Sequence, residues 1–195
     1  KTTLFLTKNG LDNGGKYIGV TGLAFLQPAL TNIQFDNLTL IASALVLGAR
    51  FCLTEISRMW LKEKCVSTLS YFLSDAKFST YEMEHLYALR VRQVYKIEGG
   101  YYLIDDTMKH HTKLCKWIHG VCLLFDHVFG TNLKAICIVL LYYTDGALIK
   151  FPITFRIYYQ NSNKLPWLRG KKFVCKKKYE LAVEMLEWAI EMGFP

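Results

Sequence analysis

Two β-rich runs separated by three residues constrain this chain more than any other feature. Ala135–Tyr143 reads AICIVLLYY and Ala147–Tyr159 reads ALIKFPITFRIYY, with Thr144-Asp145-Gly146 between them. β-Branched and aromatic residues crowd both runs, and Asp-Gly readily takes the positive φ angles of a tight antiparallel turn. The pattern predicts a β-hairpin. Upstream, Tyr101–Asp106 (YYLIDD) reads as a further strand, buried over Tyr101–Ile104, that ends in two acids. Downstream, Leu181, Met185, Trp188 and Met192 recur down one face of a predicted helix over Tyr179–Met192. Glu180, Glu184, Glu187 and Glu191 mark a second, solvated face.

The first half has another character. A helical pattern runs from about Asp36 to Val46, with Gly48 as its stop. Two short helical pieces follow, Thr54–Leu61, capped by Thr54, and Val66–Ser74. Their tight connection fits either a helix-turn-helix, with Val66–Ser74 as recognition helix, or an ordinary helical pair. Ser79 and Glu82 have capping-box spacing and open a helix to about Tyr95. The first thirty residues read as irregular. The expected organisation is α+β: a mainly helical region over residues 1–98, then a strand, hairpin and helix region over residues 99–195. The chain opens on Lys1 rather than Met, which suggests a trimmed start.

At 52% hydrophobic residues the chain has enough apolar side chains for a sizeable core, so extensive disorder is excluded. Its longest apolar run, Leu38–Ala49, falls short of the ~20 residues that span a bilayer, so no membrane partner is expected. The six cysteines follow no framework spacing and read as reduced thiols, which places the protein in the cytoplasm. Cys115, His119, Cys122 and His127 could suggest zinc, but the knuckle spacing is absent and core-type residues interleave them.

The formal charge is +8, and a basic balance favours polyanions. Seven of the cations, Lys164, Arg169, Lys171, Lys172, Lys176, Lys177 and Lys178, fall in one run without an acid. They read either as a solvated loop or as a DNA-binding rim. Asp105 and Asp106 are the catalytic candidates, because hard divalent ions take carboxylate oxygens. Neighbours on a strand point to opposite faces, so only one of the two can aim at a metal. The alternative is a strand-end turn in which an Asp side chain bonds nearby backbone amides.

Several strings, in order, resemble the catalytic domain of insertion-sequence transposases of the DDE class. These are Ile104-Asp105-Asp106-Thr107, the Gly120–His127 segment, the Asp-Gly hairpin and the P-x-x-F-R-x-Y of Pro152–Tyr158. The helix KKYELAVEMLEWAIEMGFP and the earlier STLSYFLSDAKFS are similar to further segments of that family. The resemblance implies a ribonuclease-H-like β-β-β-α domain, here incomplete, that cuts and joins double-stranded DNA at transposon ends with Mg²⁺ or Mn²⁺. It implies that Asp106, or as second choice Asp105, is the first acid of the triad and a metal ligand. It further implies a homodimer and association with the nucleoid. The family's second Asp and its Glu would fall beyond Pro195. Metal binding by this chain alone is therefore expected to be weak or absent. A non-catalytic DNA-binding protein derived from a transposase is the alternative.

Overall fold

The computed structural model describes residues 21–49, 52–58, 64–95, 97–111, 120–147, 149–160 and 174–195. Two compact units divide the chain, Lys1–Arg90 and Val91–Pro195. Among the described residues the first unit holds helices and the second a four-stranded antiparallel sheet followed by a helix, so the chain is α+β. Among the described residues no helix is long and apolar enough to cross a membrane.

In the first unit a 3₁₀ helix over Thr21–Ala29 stands where an irregular start was expected. Helix α1, Asn32–Val46, begins four residues earlier than the apolar pattern indicated. Thr31 is the reason. Its Oγ1 accepts from the Gln34 backbone N–H at 3.3 Å, while Gln34 Oε1 accepts from the Thr31 N–H at 2.9 Å. This reciprocal box satisfies two of the orphan donors at the helix start. Gly48, at φ +88°, ends the helix as expected. Helix α2 spans Leu53–Arg58 and α3 spans Val66–Ser74. Thr54 therefore lies inside α2 rather than capping it, and the Ile56 N–H donates to the Cys52 carbonyl at 2.9 Å. Leu40, Ile41, Ala44, Ile56, Leu69 and Phe72 close the core of these three helices. Phe72 stacks on Phe78 at 5.7 Å. Helix α4, Thr80–Tyr95, opens on Ser79, whose Oγ accepts from the Glu82 N–H at 3.1 Å.

In the second unit β1 spans Tyr101–His110, β2 Cys122–Asp126, β3 Thr131–Thr144 and β4 Lys150–Tyr158. Strand β3 is the spine. It pairs with β1 from Tyr101↔Thr144 to His110↔Ala135 and with β4 from Cys137↔Tyr158 to Thr144↔Lys150. Its first residues pair with β2, from Cys122↔Ala135 to Asp126↔Thr131. The Asp-Gly turn forms as expected. Asp145 Oδ1 accepts from the amides of Ala147 and Ile149, and Gly146 takes φ +80°.

Alternate residues of β3, Ala135, Cys137, Val139, Leu141 and Tyr143, are buried, and those between them are half-buried. Helix α5, Lys178–Glu191, packs against β3 and β4 with Leu181, Met185 and Trp188 turned inward. Phe151 joins the layers by stacking on Tyr143 at 5.4 Å and Tyr95 at 5.1 Å, with Phe194 at 6.5 Å.

Two expectations for β1 fail. The strand does not stop at Asp106 but continues to His110, because β3 extends far enough to pair Thr107–His110 as well. It is also an edge strand, paired on one side among the described residues. Tyr101, Leu103 and Ile104 are consequently exposed rather than buried.

Candidate functional site

Asp105 and Asp106 lie at the middle of β1, not at its tip. Their side chains leave by opposite faces, as the pleat requires. Asp106 is directly across from Val139, and so projects on the face of the buried β3 residues, beneath the start of α5. Asp105 is across from Leu140 on the other face. Its Oδ1 accepts from the Asp106 backbone N–H at 2.9 Å, within the strand rather than at a strand-end turn.

The Asp106 carboxylate meets two groups distant in sequence. Lys178 Nζ donates to Oδ2 at 2.7 Å, and the thiol of Cys137 donates to the same oxygen at 3.4 Å. The Lys178 ammonium also lies over the Tyr158 ring, 5.4 Å from its centroid. Lys178 holds the Asp106 carboxyl below the usual carboxylate range, outweighing the opposing effect of partial burial, with the Cys137 thiol as a smaller aid. Cys137 is fully buried, and burial pushes its thiol up to about 11, so it stays a thiol and donates. At neutral pH the cluster is a carboxylate, an ammonium and a neutral thiol.

This donor set does not by itself fit a resident Mg²⁺. Such an ion takes several oxygens in octahedral array. Here one carboxylate has an oxygen already engaged by an ammonium, and its other neighbour is sulfur. Among the described residues no three His, Cys, Asp or Glu side chains converge.

The basic run looks different in space than in sequence. Lys164, Arg169, Lys171 and Lys172 lie outside the described residues. Two of the three described cations are paired with acids. Lys178 is paired with Asp106, and Lys176 forms a close ion pair with Glu184, which Arg156 approaches at 3.8 Å. The Lys177 ammonium lies 5.6 Å from the Tyr179 ring centroid, and its backbone N–H donates to Glu180 at 2.6 Å. Glu184 and Glu180 thus serve the neighbouring lysines rather than forming a purely solvated face. Of the weighed zinc set, Cys115 and His119 lie outside the described residues.

A second polar cluster escaped the sequence reading. His110 Nε2 and Asp126 Oδ2 are 2.6 Å apart, with Asp126 buried. Asp126 Oδ1 accepts from the amides of Val128 and Phe129, and these bonds, Phe129's first, lower its carboxyl's pKa against desolvation. Only the Asp-to-amide half had a local signal, an Asp at the head of a short turn. The imidazole arrives from β1, sixteen positions away.

Comparison of the chain with protein-family models, with curated proteins and with solved structures finds no match.

Proposed function

We propose that the second unit is the leading part of a DDE-class transposase domain of ribonuclease-H-like type, acting on double-stranded DNA, with Asp106 as its first catalytic carboxylate. One observation carries this reading. Three antiparallel strands, β1, β3 and β4, are followed by a helix laid on the face from which Asp106 projects. That placement also favours Asp106 over Asp105, whose side chain leaves by the other face. In this reading Asp106 offers one oxygen ligand toward Mg²⁺ or Mn²⁺, and the remaining acids come from residues outside this sequence. The helices of the first unit, with α2 and α3 as a helix-turn-helix, supply DNA binding. The lysine run adds phosphate contacts, and a homodimer brings two DNA ends together at the nucleoid.

A second reading is favoured by the Lys178–Asp106 pair. A carboxylate already neutralised by an internal cation, with no companion acids converging on it among the described residues, suits a non-catalytic DNA-binding protein derived from such an enzyme.

The two readings separate in one experiment. Residues 1–195 should bind duplex DNA with an affinity that falls steeply as salt rises, and should not nick it with Mg²⁺ or Mn²⁺. A longer version encoding the downstream sequence should nick DNA if the first reading holds, and Asp106→Asn should abolish nicking while sparing binding. Nicking that survives Asp106→Asn would remove Asp106 from the chemistry. Absence of DNA binding at low salt would remove both readings.

A further inference from the structure

Asp106 is neutralised by a cation of the chain's own, and that cation stands at an unfavourable place. Lys178 is the first residue of α5, and Lys176 and Lys177 directly precede it. The N-terminus of a helix is the positive end of its dipole, where an acid is stabilised and a cation is not. Glu180 follows that rule, and its carboxylate accepts from the Lys177 backbone N–H. Lys178 does not. It is held there by partners on the sheet, Asp106 Oδ2 at 2.7 Å and the Tyr158 ring at 5.4 Å from its centroid. Lys176 pairs with Glu184 of α5 itself, whereas Lys178 reaches across to β1, 72 positions away.

The Cys137 thiol donates to the same Asp106 oxygen at 3.4 Å. The carboxylate is nevertheless 39% exposed, so small ions can reach it from solvent. A hard divalent cation seeks carboxylate oxygen. It cannot share this oxygen with an ammonium, because like charges at contact distance repel strongly even where solvent screens them in part. The two occupants exclude one another. Lys178 is also built to leave: its side chain is 45% exposed, and its four-carbon stem is flexible.

We propose that Lys178 is a built-in competitor for divalent cations at Asp106. Its ammonium takes the oxygen such an ion would take, and the ion is admitted only when Lys178 turns away. This inference rests on the reading of Asp106 as a metal-facing carboxylate.

The test titrates Mn²⁺ into ¹⁵N-labelled residues 1–195, because the paramagnetic ion broadens amide signals close to where it binds. The signals followed are those of Asp106 and Thr107. Lys178→Met should broaden them at a Mn²⁺ concentration about two- to fivefold lower than the parent needs, the ratio that an exposed ion pair sustains. Lys178→Arg keeps the charge and should behave as the parent does. Lys176→Met removes an equal charge whose partner is Glu184, and should leave the midpoint at Asp106 unchanged. Asp106→Asn added to Lys178→Met should abolish the broadening. Amide dispersion in the same spectra checks that each variant is folded. Equal midpoints for the parent and Lys178→Met would overturn the competition. So would a Lys176→Met midpoint as low as that of Lys178→Met, which would make the effect one of overall charge. Broadening that survives Asp106→Asn would put the ion elsewhere and overturn it too. DNA binding by the parent is measured separately, without metal. Its absence alongside the expected midpoints would uphold the competition and remove the DNA-acting reading, whereas DNA binding with equal midpoints would do the reverse.

Discussion

Replacing Lys178 with Met removes the cation from Asp106 while keeping a long apolar stem over Tyr158. The pair is short, at 2.7 Å, but both side chains are open to water, with 45% of Lys178 and 39% of Asp106 exposed. Solvent screening therefore limits what the ion pair contributes to about 0.5–1 kcal/mol, the upper part of the range for exposed pairs. The sign of the pH dependence follows from the directions of the shifts. Asp106 has a folded pKa below its unfolded value, so its contribution is complete above the unfolded carboxylate range and fades as pH falls through the folded value. Lys178 is raised, so its contribution is complete below the ordinary lysine range and is lost as pH climbs through its folded value. Urea unfolding at pH 7 should show Lys178→Met less stable by up to about 1 kcal/mol. The gap should close in acid, once Asp106 is protonated in both proteins. In a ¹³C carboxyl titration, Asp106 should titrate at higher pH in the variant than in the parent. An Asp106 titration that does not move, or a stability gap that persists in acid, would show that Lys178 does not set the state of this carboxylate.

Three further outcomes are expected. Met185 is fully buried between α5 and the sheet, so Met185→Ala should cost about 2–5 kcal/mol in urea unfolding, and a loss under 1 kcal/mol would mean α5 is not seated there. Thr31→Ala should destabilise the first unit by about 1 kcal/mol, measurable by hydrogen exchange across α1, because it removes half of a reciprocal cap. Under a limiting thiol reagent Cys52 and Cys65, exposed and with lowered thiol pKa from nearby hydrogen bonds, should be labelled before buried Cys137, which is pushed up to about 11; peptide mapping that finds Cys137 modified first would refute the burial of the site floor.

Much of the fold was legible because it rests on local signals. The period of Leu181, Met185 and Trp188 set the inner face of α5, and the Asp145-Gly146 turn joined β3 to β4. Ser79 and Gly48 marked helix ends through contacts within a few residues. The start of α1 was misplaced by four residues because Thr31 and Gln34 lie outside the apolar pattern that defined the helix. Strand β2 was overlooked because Cys122–Asp126 is short and follows a His-rich stretch, and its pairing with β3 is what makes it a strand.

The identities and spacing of the residues determined that this chain would pair two β-rich runs through a tight turn, follow them with an amphipathic helix, and carry two adjacent acids that cannot share a face. Those properties depend on backbone preferences and on a periodicity of two or 3.6, both of which act along the chain. Tertiary structure decided how the acids are used. β3 is long enough to carry β1 past Asp106, which moved the acids from a strand end to mid-strand. The approach of α5 then brought Lys178 from 72 positions away onto Asp106, and β1 brought His110 onto Asp126. Charge pairs of this kind depend on distance through space, which separation along the chain does not encode. Lys176 and Lys178, which look uncompensated in one dimension, therefore find Glu184 and Asp106 in three.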